Sequence, residues 1–204
     1  MESNGIFCIE TNWETKVPRT WYSVEPVLRL VQQSELPFVH CIHQNVWTKR
    51  DFESRLKIWS KGLRARFPIL YVAGHGIKGA VWLKHGKSGK VTLGEISNAI
   101  GPDCSDAVIY ISGCNVLAES KSRREFVRDS GVAALMGFSG QPDWSEGVVT
   151  DFLILNGLAR KRINRRAIET VANEAAAFLV SRRKSSSAGF VVQQINHRRA
   201  SKRP

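Results

Sequence analysis

The sequence predicts an α/β fold in which a mostly parallel central sheet is covered by helices on both faces. Short apolar runs typical of strands alternate along the chain with segments whose apolar residues recur at helical spacing. The runs at 68–73 and 107–111 are almost entirely apolar, as expected of central strands that are buried on both sides. A chain of 204 residues is long enough for one domain. We expect a single domain over residues 1–196 and a basic tail over 197–204.

The predicted elements alternate in type along the chain. Apolar runs bounded by turn residues predict strands at 5–11, 38–43, 68–73, 107–111, 132–138 and 190–195. Apolar residues that share one face predict helices at 24–31, 52–63, 95–100, 119–130, 148–155 and 168–179. Ser23 and Thr48 are expected to cap the first two helices, and Asp51 completes a capping-box pattern with Thr48. Residues 80–83 and 91–93 flank a Gly/Lys-rich loop, which predicts a small hairpin insertion.

The positive charge is concentrated at the end of the chain. The formal net charge is +12, and residues 157–204 contribute +10 of it through twelve basic and two acidic residues. Such a region suggests an acidic partner, and nucleic acid is one such partner. The alternative is a solvated cationic helix face followed by a tail, because no nucleic-acid-binding signature accompanies the charge.

Several other classes of protein are disfavoured by the sequence. No apolar run approaches the roughly 20 residues that span a bilayer, and the N-terminus lacks the pattern of a signal peptide. We therefore expect a cytoplasmic protein with no membrane partner. The four cysteines include no CxxC pair, so neither a disulfide framework nor a structural metal site is predicted. No cofactor is expected.

Two segments of the sequence share one template. Residues 69–75 read Ile-Leu-Tyr-Val-Ala-Gly-His, and residues 108–114 read Val-Ile-Tyr-Ile-Ser-Gly-Cys. In open parallel sheets, functional groups collect at the carboxyl ends of the strands. Neighbouring strands lie about 4.8 Å apart. If these two strands are neighbours, His75 and Cys114 emerge side by side at that edge.

A histidine beside a cysteine has a known chemical use. A thiolate is a strong nucleophile, and an imidazole can take the thiol proton or stabilise the thiolate as an ion pair. We therefore predict Cys114 as nucleophile and His75 as general acid and base. The backbone amides of Gly76 and Cys114 are expected to point into the same space and to form an oxyanion hole.

These residues resemble those of the caspase-like cysteine peptidases of clan CD. The strand–Gly-His-Gly and strand–Ser-Gly-Cys pair, about 40 residues apart, is similar to the family pattern. The intervening hairpin and the segment at 131–140 resemble the bacterial CHAT branch more than animal caspases. Over residues 5–160 the resemblance implies a three-layer α/β/α fold and hydrolysis of peptide bonds in protein substrates. It assigns the family histidine to His75, the cysteine to Cys114 and the oxyanion glycine to Gly76.

The resemblance has limits that leave alternatives open. The caspase signature Gln-Ala-Cys is absent, since Ser112 and Gly113 precede Cys114. No inter-subunit linker with a cleavage site is evident. A regulated prokaryotic effector peptidase that needs a separate activating partner or self-association is the favoured interpretation. The alternatives are an inactive scaffold protein of the same fold and a nucleic-acid-binding α/β module that uses the basic end of the chain.

Two other motifs in the sequence compete with the Cys-His pair. His85 is a rival base, but it lies in a lysine-rich hairpin loop that is a poor rigid platform. The Gly-Lys-Ser at 86–88 suggests a nucleotide-binding loop, whose pattern requires a glycine at position 81. That position is Val81, so nucleotide binding is not predicted.

Substrate preference is predicted from acidic residues in two loops. In caspase-like enzymes, loops at the carboxyl ends of the central strands form the pocket for the residue before the cut. The resemblance therefore implies that the loops after the first and fifth strands, at 10–14 and 141–146, form it here. Glu10 and Asp143 would favour a cationic side chain there, and Trp144 would pack against its aliphatic stem. Cleavage after basic residues is therefore predicted. The alternative is that Glu10 and Asp143 are solvated loop acids or helix caps.

Overall fold

The central sheet of the protein has six strands. A computed structural model describes residues 3–11, 23–34, 38–83, 89–181 and 189–194. The strands are β1 (Ile6–Thr11), β2 (Cys41–Val46), β3 (Ile69–Ala73), β7 (Val108–Ser112), β8 (Ala134–Phe138) and β9 (Phe190–Gln194). Their order in the sheet is β2-β1-β3-β7-β8-β9, and all neighbours are parallel except β8 and β9. The predicted mostly parallel sheet is confirmed.

Helices cover both faces of the sheet. They are α1 (Glu25–Gln33), α2 (Lys49–Ile58), α3 (Leu93–Ile100), α4 (Ser120–Ser130), α5 (Trp144–Ala159) and α6 (Arg165–Ser181). Helices α2, α3 and α4 pack on one face, and α1, α5 and α6 pack on the other. Because successive strand residues point to opposite faces, Leu70 and Val72 join the first core while Ile69 and Tyr71 join the second. The three-layer α/β/α arrangement is confirmed.

The small insertion is a separate antiparallel sheet. It consists of β4 (Gly76–Ile77), β5 (Ala80–Trp82) and β6 (Lys90–Thr92), in that order. It begins directly after His75 and leads into α3, whose first turn is closed by a capping box between Thr92 and Glu95. The predicted hairpin is therefore present, and it gains β4 as a third strand.

Two details differ from the sequence-based prediction, and a third was not predicted. The third is the antiparallel pairing of β9 with β8, since periodicity carries no information about strand direction. Strand β2 begins at Cys41 rather than at residue 38, since its pairing with β1 starts where Ile6 faces Cys41. The N-cap position of α1 is Val24, one residue after the predicted Ser23. The Ser23 hydroxyl still accepts a hydrogen bond from the Glu25 amide.

The cap of α2 was predicted correctly. The Thr48 side chain accepts a hydrogen bond from the Asp51 amide at 3.1 Å. The helix ends in a single π-type turn, Trp59–Leu63, whose Trp59 is fully buried and donates to the Phe67 carbonyl at 2.7 Å. In the part of the chain that the structure describes, no helix has both the length and the hydropathy needed to cross a membrane.

Candidate active site

The sheet register places His75 and Cys114 at equal distances beyond their strands. Strands β3 and β7 are parallel neighbours, and Ala73 and Ser112 form their last register pair. His75 and Cys114 each follow two residues after that pair. The Gly74 amide donates to the Ser112 carbonyl at 3.3 Å and extends the pairing by one residue. Both side chains therefore belong to adjacent turns at the carboxyl edge of the sheet.

The glycines allow these two turns to touch. A methyl group on Gly76 would overlap the Cys114 carbonyl oxygen and lie 2.6 Å from the Cys114 nitrogen. A methyl group on Gly113 would lie 3.3 Å from the Gly76 Cα. A side chain at Gly74 would overlap the Thr11 hydroxyl. Glycine is required at Gly76 because the backbone of the next turn occupies the space of a side chain.

The turn that follows Cys114 is held by the neighbouring strand. Asn115 has a φ of 58°, in the left-handed region that non-glycine residues seldom adopt. Its amide donates to the Gly140 carbonyl at 2.8 Å, and the Leu117 amide donates to the Phe138 carbonyl at 3.0 Å. These bonds tie the cysteine turn to the end of β8.

The small sheet supports the histidine. The Trp82 amide donates to the His75 carbonyl at 2.8 Å. The rings of the two residues lie with centroids 6.5 Å apart and planes tilted by 52°. Trp82 is 44% exposed, so its indole forms part of the surface beside His75.

The Cys114 thiol is partly buried, and burial raises its pKa from the ordinary value of 9.0. A hydrogen bond from its own backbone amide opposes that rise, but desolvation is the larger effect. Burial also raises the pKa of Cys41 to about 12. The raised pKa favours the neutral thiol, which needs a base to accept its proton when it reacts.

Glu10 occupies a different position from the one predicted. It is 2% exposed, and its carboxylate accepts hydrogen bonds from the Val24 amide at 3.0 Å and the Ser23 hydroxyl at 2.8 Å. His43 Nε2 lies 2.6 Å from the same carboxylate. Both oxygens thus join β1 to β2 and to the start of α1. A substrate-binding role for Glu10 stays a prediction, and this burial argues against it.

Asp143 lies on the surface and caps α5. Its carboxylate accepts from the Glu146 amide at 2.8 Å, and Glu146 completes a capping box. This is the helix-cap role that the sequence left open as the alternative. Trp144, the next residue, is 42% exposed. The exposed Asp143 carboxylate is therefore next to an exposed indole in the sequence. Both residues follow shortly after Gly140, whose carbonyl accepts from the Asn115 amide in the turn after Cys114.

The basic end of the chain is only partly described. Arg160 donates to the Val31 carbonyl at 3.2 Å and to the Ser34 hydroxyl at 2.9 Å, which fixes α5 to α1. Lys161 pairs with Glu174 at 3.6 Å, and Arg165 pairs with Glu169 at 2.8 Å. Charges at 182–184 and 198–203, like His85 and residues 12–22, lie outside the described ranges. An acidic partner stays a prediction.

The structure adds three buried residues that the sequence did not assign to the site. Tyr71 and Tyr110 occupy the same place in the two repeated segments, and both hydroxyls donate to Asp151 of α5 at 2.6 Å. The tyrosine repeated in both segments was a signal in the sequence for this network, whereas no pattern around Asp151 indicated its role. Within the described ranges, no three His, Cys, Asp or Glu side chains form a group that could hold a metal ion.

Comparison with known proteins gives a fold and no family. No family model and no curated protein matches the sequence. Among solved structures, that of pro-Sf-caspase-1 matches with a TM-score of 0.60 over 95% of this chain and 88% of that chain. The two sequences are 10% identical, so the likeness shows the fold alone. The chain has a caspase-like fold.

Proposed function

We propose that the protein is a cysteine endopeptidase that hydrolyses peptide bonds through His75 and Cys114. The observation that carries this proposal is the register of β3 and β7, which sends both residues from adjacent strand ends. The close approach of Gly76 to the Cys114 backbone supports it, because the residues whose amides are predicted to bind the oxyanion pack against each other. Activity of this kind requires a base, a thiol and an oxyanion site, and this edge has candidates for all three.

The reaction follows from the protonation state of the thiol. As the sulfur attacks the substrate carbonyl carbon, His75 accepts the thiol proton, and the N–H groups of Gly76 and Cys114 donate to the resulting oxyanion. The C–N bond then breaks, and His75 gives its proton to the leaving amine. Water next attacks the thioester with His75 as base, and the acid product leaves as the Cys114 thiol is restored.

Regulation forms a further part of the proposal. The resemblance to the CHAT branch suggests a prokaryotic effector whose activity depends on a separate activating partner or on self-association. A resting thiol with a raised pKa is compatible with a site that is quiet before activation. The same observation favours the second candidate, a binding protein of caspase-like fold that has no peptidase activity.

The test is cleavage mapping across a proteome. Wild-type protein is compared with Cys114→Ala and with Cys41→Ala, whose thiol is also partly buried but lies on β2. New peptide termini with wild type and Cys41→Ala, and none with Cys114→Ala, support the peptidase. Identical termini from wild type and Cys114→Ala contradict it. No cleavage by wild type in extracts of any growth state favours the binding protein.

A further inference from the structure

One buried carboxylate connects the two strands that lead to the candidate dyad. Tyr71 of β3 and Tyr110 of β7 are register partners, and their rings stack with centroids 5.4 Å apart and planes 12° apart. The Tyr71 hydroxyl donates to Asp151 Oδ2 and the Tyr110 hydroxyl to Asp151 Oδ1, each at 2.6 Å. Asp151 therefore holds the two phenols side by side through its two oxygens.

The two tyrosines precede the two candidate catalytic residues by the same number of residues. His75 follows Tyr71 by four residues, and Cys114 follows Tyr110 by four residues. Ser112, two residues before Cys114, is also buried, and its side chain acts with the two tyrosines to lower the pKa of Asp151 against the effect of burial. Two phenol hydroxyl groups, one from each strand, thus converge on one side chain. A shift of either strand along its axis would break at least one of these bonds.

The other end of the connection is helix α5. Asp151 lies two turns after Asp143, the cap of this helix. The Gly140 carbonyl, just before the cap, accepts from the Asn115 amide and so contacts the cysteine turn directly. Helix α5 is therefore bonded to β7 at Asp151, and the loop before α5 is bonded to the turn after Cys114.

Burial of the Asp151 carboxylate costs free energy, so stability alone does not explain an acid at this position. Asp151 is 2% exposed, and taking a carboxylate out of water carries a penalty that an apolar side chain avoids. The surrounding core is otherwise apolar, with Ile154 and Leu155 on the same helix. A carboxylate at this position accepts directional hydrogen bonds from both strands, which an apolar side chain such as leucine cannot do.

We propose that Asp151 is a positioning residue that sets the relative register of β3 and β7, and through it the placement of His75 against Cys114. It acts through Tyr71 and Tyr110 and does not touch the substrate. The kinetic part of this inference rests on the proposed peptidase function, whereas the placement of the thiol is testable without any substrate.

The experiment compares three isosteric variants with a matched control. Tyr71→Phe, Tyr110→Phe and Asp151→Asn each remove part of the network, and Thr150→Val alters the adjacent buried residue, whose hydroxyl has no hydrogen-bond partner within the described residues. We expect kcat to fall about 10- to 100-fold in the three network variants, with KM within about twofold, because small displacements of reacting groups cost rates of this size. Thr150→Val is expected to keep wild-type kinetics.

A second measurement separates this inference from the proposed function. The rate of Cys114 alkylation by iodoacetamide, followed by mass spectrometry, is expected to change at least about fivefold in Asp151→Asn while that of Cys41 does not. This readout needs no peptidase activity, so an inactive wild type overturns the proposed function and still tests the positioning role. If Asp151→Asn does not fold, Tyr110→Phe gives the same comparison.

The coupling between the groups gives the decisive result. Since Tyr110 acts through Asp151, the double variant Tyr110→Phe, Asp151→Asn is expected to lose no more kcat than Asp151→Asn alone. A loss of kcat in the double variant equal to the product of the two single-variant losses would overturn the inference. So would unchanged kcat and unchanged Cys114 alkylation in folded single variants, or losses in Thr150→Val as large as those in Asp151→Asn.

Discussion

The backbone of Gly76 packs directly against the backbone of Cys114. A methyl group on Gly76 would overlap the Cys114 carbonyl oxygen and lie 2.6 Å from its nitrogen. The two turns are therefore matched in shape, and the amides predicted to form the oxyanion hole belong to residues in contact. This contact makes Gly76 a sensitive backbone position of the candidate site, because the opposing atoms belong to the backbone.

Gly76→Ala is expected to lower kcat/KM by about 100-fold or more. The added methyl group must displace the cysteine turn, and loss of one oxyanion donor alone typically costs about 3 kcal/mol. Steady-state kinetics on a cleaved peptide measures this. Gly94→Ala is the control, because no atom lies within 4 Å of its added methyl group in α3. That variant is expected to keep full activity, and wild-type kinetics in Gly76→Ala would contradict the oxyanion assignment.

Cys114→Ala and His75→Ala are each expected to lose about 10³-fold or more in kcat, since a nucleophile and its base act as one unit. Both side chains are partly exposed, so the melting temperature is expected to stay close to that of wild type. Cys8→Ala and Cys104→Ala alter buried thiols away from the dyad and are expected to remain active. Full activity in Cys114→Ala would end the peptidase hypothesis.

The alkylation of Cys114 is expected to accelerate with pH, with a midpoint above 9.0. Burial raises the pKa of this thiol above 9.0, and only the thiolate reacts. Alkylation rates from pH 6 to 11 measure the profile. A midpoint near pH 6 would instead indicate a resting thiolate–imidazolium pair with His75.

The stability of the protein is expected to depend on pH through Asp151. Desolvation by burial raises the pKa of its carboxyl from 3.8 to about 6, although Tyr71 and Tyr110 oppose the rise. Because the folded protein holds this proton more tightly than the unfolded chain, the contribution is complete below pH 3.8. It is lost as pH rises to about 6, by about 3 kcal/mol.

Asp151→Asn lacks this titration and serves as the reference. The free energy of unfolding of wild type minus that of Asp151→Asn, from urea denaturation, is expected to fall between pH 4 and pH 7. The difference isolates Asp151 from the other carboxyl groups, which titrate in both proteins. A difference that grows with pH would show that the hydrogen bonds outweigh the cost of burial.

Cleavage is expected after Arg or Lys, with Asp143 as the acid that favours them and Trp144 against the aliphatic stem. Asp143→Asn keeps a good helix cap, so it tests the charge without loss of α5. Profiling on a peptide library is expected to show a weaker Arg preference in this variant. Glu10→Gln is expected to reduce stability instead, because it disrupts the contact with His43.

Two outcomes would contradict the specificity prediction. Cuts mainly after Asp or after apolar residues are incompatible with an acidic pocket. An Arg preference that is unchanged in the Glu10→Gln, Asp143→Asn double variant would show that neither carboxylate recognises the substrate. In that case the preference comes from another part of the site.

The alternation of apolar runs and helical periodicity was enough to predict the layers of the fold. Side-chain spacing is a local property, so β3, β7, the hairpin and the cap at Thr48 were all readable along the chain. The repeated segments ending in His75 and Cys114 indicated the site by the same means. The antiparallel direction of β9 was not readable, because a strand has the same alternation in either direction.

Local patterns along the chain indicate most of the strands and show that His75 and Cys114 end a matched pair of them. The tertiary structure makes β3 and β7 neighbours in a register that aligns Ala73 with Ser112. It also brings Glu10 into contact with His43, and Asp151 into contact with the two tyrosines, although these partners lie 33 to 80 residues apart along the chain. Burial and long-range hydrogen bonds set the state of a carboxylate, and both depend on contacts that no local pattern encodes.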